Sequence, residues 1–283
     1  MILRVGRPGS ADPRALAEQA ADGTSFRELS RQVNVGTPRI PLREAIPISE
    51  YIHGTFVPLS NLPHGWEMHS AVALTPAEDR TTVREPAQAV PDSIAARIGK
   101  LRVLVVPWVA CMDTGDEVQF TKPQGETHSA VWIETGERIH LVLPCKELDP
   151  HDTGLEFLAS IAELLRPRLT AEEMGRFSRL LEIELRAGVT GEIDEDARAA
   201  KQPLMARRAR RKRSPELFAN YCDTSFVSTA AEYMHGLWHD VQIRVGPEHL
   251  PVPQLRRRMT LLAEMFPPNA GYSLFAEGLE KGE

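Results

Sequence analysis

Prolines constrain the first third of this chain more than any other feature. They recur at Pro38, Pro41, Pro47, Pro58, Pro63, Pro76, Pro86 and Pro91. Each removes a backbone donor and biases its predecessor toward extended geometry, so no long periodic element spans the stretch. Yet Ile46, Ile48, Tyr51, Phe56, Val57, Leu59 and Trp66 make it too apolar for a solvated tail. Residues 1–95 are therefore expected to wrap around the rest as short strands and loops. Two short helices fit ahead of it. Asp12 caps one, with Pro13 in its first turn, and Ser25 with Glu28 forms a capping box for the other.

From Leu101 to Leu143 the apolar period switches to two. Leu101 to Val106 reads as a buried strand and Val118 to Thr121 as a shorter one. Thr127–Glu134 and Arg138–Leu143 flank the turn signal Thr135-Gly136-Glu137. Residues 96–150 are thus expected to form an antiparallel meander. From 151 to 283 the pattern is helical. Asp152 or Thr153 caps a helix running to Arg166, and Thr170 with Glu173 boxes the next. Glu192–Lys201 is short and acidic, Ser214-Pro215 starts another helix, and Thr224–Val241 forms a longer one. Pro253 opens the last, which stops at Pro267-Pro268. The fold class is α+β: a small antiparallel β-meander packed against a helical C-terminal half.

Composition narrows the function classes. An apolar fraction of 42% and a charged fraction of 25% over 283 residues support a buried core, and a formal charge of -6 disfavours coating of nucleic acid by the overall field. Cys111, Cys145 and Cys222 are odd in number, far apart and without Cys-x-x-Cys spacing, which predicts reduced, mostly buried thiols. The N-terminus stops being apolar too early for a signal peptide, and the longest apolar run, Leu101–Met112, is interrupted by Arg102 and Pro107. The expected location is cytoplasmic, with no membrane span, and the Ala- and Arg-rich texture is that of a bacterial chain. No Gly-x-Gly-x-x-Gly, phosphate loop or Gly-x-Ser-x-Gly elbow is present.

One constellation carries chemistry. On the Thr224–Val241 segment, Phe226, Val227, Ala230, Ala231, Met234, Leu237, Trp238 and Val241 share an apolar arc. Ser228, Glu232, His235 and His239 fall on the other side, within roughly 60° of one another. A carboxylate and two imidazoles in one column suit a divalent zinc, iron or manganese ion. His235 and His239 stand at the separation used in His-Glu-x-x-His metalloproteases, but Gly236 occupies the position of the water-activating glutamate. His249 and Glu264 are candidates to complete the ligand set. The surface alternative is a solvated polar face, although the segment is poor in Lys and Arg until Arg244.

A second cluster, Asp149-Pro-His151-Asp152, follows the hairpin. Asp149 and His151 are candidate acid/base residues, supplying what Gly236 cannot, or further ligands. The plain alternative is helix capping. His128 and His140, on the hairpin strands, are candidates to converge on the same site, or ordinary cross-strand residues.

The basic run Arg207, Arg208, Arg210, Arg211, Lys212 and Arg213 is expected to be an exposed loop, and Arg256-Arg257-Arg258 adds a second basic stretch on a helix. The leading expectation is a metal-binding protein, a metal-dependent hydrolase in its finer form. The alternative is a non-catalytic interaction protein docking an acidic partner or nucleic acid through the basic loop. The two differ in whether the Glu232–His239 face lines a polar cleft or lies open to solvent.

Overall fold

The structure, a computed structural model, describes residues 3–5, 44–205, 214–239 and 246–275. The expected helices at Asp12 and Ser25 and the basic run at 207–213 lie outside the described residues. Strands run β1 Leu3–Val5, β2 Ala45–Pro47, β3 Ser60–Asn61, β4 Glu67–Ser70, β5 Lys100–Val106, β6 Trp108–Ala110, β7 Glu117–Gln119, β8 Val131–Thr135 and β9 Arg138–Pro144. Short helices α1 (Ile48–Tyr51), α2 (Pro76–Asp79), α3 (Glu85–Ala89) and α4 (Asp92–Ile98) precede five long ones: α5 Pro150–Leu165, α6 Ala171–Arg186, α7 Glu195–Met205, α8 Pro215–Trp238 and α9 Val252–Met265.

The class is α+β, with two sheets. The larger has the order β1-β8-β9-β5-β4-β3. Its β8–β9 hairpin is antiparallel, closed through Gly136 at φ +60°, the backbone that a two-residue turn demands. β5 lies parallel to both β9 and β4, pairing Val103 with Leu141 and with Met68. Sheet pairing therefore extends beyond a meander, because the helical segment from α2 to α4 carries the chain back between β4 and β5. The smaller sheet, β2-β7-β6, is antiparallel.

Period two sorts the β5, β8 and β9 side chains onto two cores. Val103, Val105, Trp132, Leu141 and Leu143 pack with Phe157, Ile161, Leu165, Phe226 and Tyr233 of the helices. Leu104, Val106, Val131, Ile133 and Val142 pack on the opposite face against Ile48, Ile52, Val109 and Val118. Both faces of the central strands are thus buried, as parallel strands require.

Two helix assignments differ from expectation for local reasons. α5 starts at Pro150, because Asp149 is its N-cap: the carboxylate accepts the Asp152 N–H at 2.8 Å, and Pro150 loses nothing as the first helical residue. Ser214–Val241, expected as two helices, is one helix to Trp238. Its internal hydroxyls bond within the helix instead of capping a new one: Thr224 donates to the Asn220 carbonyl at 2.9 Å and Thr229 to the Ser225 carbonyl at 2.6 Å. The Thr170–Glu173 capping box is present at α6.

α8 runs through the middle of the helical layer, with Ser225, Ser228, Thr229 and His235 buried as fully as its apolar residues. Beside it lies a buried ionic network. Arg258 of α9, 0% exposed, donates to Glu184 of α6 at 2.5 and 3.0 Å and to Glu192 at 2.8 and 2.9 Å. Lys201 of α7 donates to Glu192 at 2.9 Å, and Tyr221 of α8 bonds Glu192 as well. Arg258 is accordingly part of the interior and not of a basic surface stretch.

Candidate metal centre

The N-terminus of α5 and the C-terminus of α8 meet. Asp149 fixes the first turn of α5, its carbonyl accepting the Thr153 N–H at 2.9 Å and the Thr153 hydroxyl at 2.8 Å, and this presents His151. α8 brings His235 in its last turn. His239 is its C-cap, with φ -131° and ψ 174°, donating its N–H to the His235 carbonyl at 2.7 Å. The helices approach this closely because of Gly154. A Cβ there would stand 2.6 Å from the Trp238 indole and 2.7 Å from the Thr81 carbonyl of the π-helical turn Arg80–Arg84. A π-turn inserted into a helix often accompanies a functional site.

Three imidazoles converge here. Ring centroids are 5.6 Å apart for His151 and His235, 5.1 Å for His151 and His239, and 5.9 Å for His235 and His239. Trp238 braces them, stacked on His151 at 5.1 Å and against His239 at 4.1 Å. Imidazoles sharing one tetrahedral ion stand with centroids roughly 5 Å apart. The donor sets that already lie within 4.8 Å among the described residues, however, are Asp149/His151/Asp152 and Cys111/Asp116/His128, so the three rings would have to turn to share an ion.

His235 is the critical residue. It is 5% exposed, yet neither ring nitrogen has a hydrogen-bond partner, and the Trp238 Nε1 beside it is also unpartnered. The Glu232 carboxylate lies 3.7 Å from His235 Nδ1, outside hydrogen-bond reach. An unsatisfied buried polar atom costs about 1–3 kcal/mol, so a histidine with two of them calls for an explanation. The negative end of the α8 dipole at this point favours a cation, and the positive end of α5 opposes it, so the helix dipoles offset each other here. On the α5 side, donor atoms of Asp149, His151 and Asp152 lie within 4.8 Å of one another, with His151 Nδ1 3.5 Å from Asp152.

The chain matches no family model, no curated protein and no solved structure. Function must therefore be argued from the geometry of its own side chains.

Of the residues singled out in the sequence, His151, His235 and His239 come together, with Glu232 and Asp149 at the margins. His249 and Glu264 are engaged differently. His249 lies beside Glu192 in a backbone bridge, with Nε2 3.3 Å from Glu248, and Glu264 of α9 pairs with Arg176 of α6 at 2.5 Å. His140 sits on β9 near Arg102, Arg138 and Glu67. Burial, and then the two arginines, push its pKa down to about 4. His128 bonds Asp116 at 2.9 Å.

Sequence reasoning missed Trp238 as the brace, because it falls on the apolar arc, and it missed Gly154. A glycine in the second turn of a helix, where alanine is favoured, is the signal that marks such a close approach. It also did not foresee that donor atoms of Cys111 and Asp116 lie within 4.8 Å of one from His128. Cys111 is exposed, Cys145 half-buried and Cys222 buried, so burial does not extend to all three thiols.

Proposed function

We propose that the chain binds a divalent transition metal (zinc, iron or manganese) through His151, His235 and His239, and uses it in hydrolysis. The observation that carries this reading is His235: buried, without partners at either nitrogen, and facing two more imidazoles. Three neutral imidazoles leave the ion its full positive charge, and such an ion lowers the pKa of a bound water to about 7. Asp152, 3.5 Å from His151 Nδ1, Glu232, 3.7 Å from His235 Nδ1, and Asp149 are the carboxylates beside the cluster. They are the candidates for the proton-accepting role that Gly236 leaves vacant, with His151 assigned to the metal in place of acid/base work.

Elemental analysis of untagged protein, purified without chelator, tests the reading beside a His151→Ala/His235→Ala variant. A loss of one equivalent of metal in the variant relative to the wild type, while the circular dichroism spectrum persists, is expected. A wild-type chain that takes up no zinc, iron or manganese refutes it. The hydrolytic part is tested separately, on ester and phosphoester substrates. Asp149→Asn is expected to retain metal and lose metal-dependent turnover, and equal turnover in the variant removes Asp149 from the mechanism.

A second reading, docking of an acidic partner or nucleic acid, is supported by the groove between α6 and α9. Arg176, Arg179, Arg256 and Arg257 line it around Leu180 and Ile183. It predicts oligonucleotide binding that weakens steeply with salt and is abolished by Arg179→Glu/Arg257→Glu.

A further inference from the structure

The second core, on the far face of the large sheet, carries its own polar cluster. Cys111 follows β6, Asp116 precedes β7, and His128 lies on the adjoining segment. The backbone holds all three in place. Cys111 N–H donates to the Glu126 carbonyl at 2.9 Å, His128 N–H to the Val109 carbonyl at 2.9 Å, and the Asp116 carbonyl accepts from Ile48 at 3.0 Å. Ala110 pairs with Glu117 on one side and bridges Thr127 on the other, so the three side chains project from adjacent, hydrogen-bonded backbones.

One donor atom from each of Cys111, Asp116 and His128 lies within 4.8 Å of the others. The side chains of His128 and Asp116 are only 6% and 8% exposed, and His128 Nε2 donates to Asp116 Oδ1 at 2.9 Å. Two atoms of this buried pair, His128 Nδ1 and Asp116 Oδ2, have no partner. A polar cluster kept for stability alone satisfies its buried atoms, whereas one that awaits a ligand leaves some open. Cys111, by contrast, is exposed, so the cluster is reached from solvent.

We infer that Cys111, Asp116 and His128 form a second metal site, selective for a thiophilic divalent ion such as zinc and independent of the histidine cluster. Thiolate, imidazole and carboxylate are the three donor types zinc accepts. A tetrahedral ion with bonds of about 2.0–2.3 Å sets its donor atoms roughly 3.4–3.6 Å apart, within a small adjustment of the present spacing. Binding replaces the His128–Asp116 contact, forms a metal–sulfur bond and releases the thiol proton to solvent. Three protein donors leave the fourth position open on the exposed side of Cys111.

Cobalt(II) is the probe, added to the full chain after chelator treatment and dialysis. A sulfur-to-cobalt charge-transfer band is expected. It persists in His151→Ala/His235→Ala, which removes the other cluster but no sulfur, and is lost in Cys111→Ser. Cobalt bound without the band, or a band that survives Cys111→Ser and so comes from Cys145 or Cys222, overturns the assignment. Should Cys111→Ser fail to fold, the unaltered chain decides. Zinc is expected to slow iodoacetamide alkylation of Cys111, read by peptide mass, and an unchanged alkylation rate at saturating zinc overturns the site.

Discussion

Replacing Arg258 by methionine deletes the central cation of the buried network while keeping most of its volume. Glu184 and Glu192, 2% and 1% exposed, would then have Lys201, bonded to Glu192, as the remaining buried counter-charge among the described residues. Removing one partner of a buried, hydrogen-bonded charge cluster typically costs about 3–5 kcal/mol, because the other charges remain desolvated. Burial alone would raise the Glu192 pKa, but the hydrogen bonds and charge of Arg258, then Lys201 and Tyr221, outweigh burial and hold it at about 2.

Urea unfolding of Arg258→Met at pH 7 should therefore show a loss of about 3–5 kcal/mol at unchanged m-value. The sign of the pH dependence follows from the depressed Glu192 pKa. Its contribution is fully present above pH 4.5 and is lost as pH falls through about 2, so the difference between wild type and variant narrows across that window. Because the cost arises from an uncompensated charge, adding Glu184→Leu restores neutrality with Glu192 and Lys201 still paired, and should recover a large part of the stability. A single variant within about 1 kcal/mol of wild type refutes the reasoning, since that is no more than an exposed ion pair is worth. So does a double variant as unstable as the two singles summed.

Two further outcomes are expected elsewhere. Gly154→Ala should destabilise by roughly 1–3 kcal/mol, because its Cβ would meet both Trp238 and the Thr81 carbonyl at under 3 Å. It should also lower metal occupancy at the histidine cluster, and unchanged thermal unfolding would show that α5 and α8 are not in tight apposition there. His140 should titrate near pH 4 by NMR instead of near 6.5. A histidine whose folded pKa is depressed favours unfolding once protonated, so stability falls as pH drops from about 6.5 toward 4, and a normal midpoint would refute the burial argument.

How much of this was legible in the sequence depends on the range of the interaction that decides each feature. Thr170–Glu173 and Ser214-Pro215 cap helices through contacts three residues long, so reading them requires nothing beyond the local chain. The β8–β9 hairpin is equally local. The parallel neighbours of β5 were not legible, since Glu67–Ser70 has no alternating pattern and gains its place only by pairing with Arg102–Val105. Ser214 and Thr224 look alike as N-caps. Which one starts a helix is settled by whether the preceding turn can continue, and Thr224 spends its hydroxyl on the Asn220 carbonyl instead.

The candidate site shows the same boundary more sharply. Helical periodicity put Glu232, His235 and His239 on one side of α8, but it equates the polar side with solvent, and that equation fails for a helix enclosed by others. Once α5 covers the polar side, His235 passes from an ordinary surface histidine to a buried one with two open nitrogens. The partner that covers it begins more than 60 residues earlier in the chain. Cys111, Asp116 and His128 are separated by 4 and 11 intervening residues and sit on no common period, so only the pairing of their strands brings their donors within 4.8 Å. In both clusters the donors come from different elements. A spacing motif within one element can propose ligands, but their number and identity are set by the packing that brings the second element in.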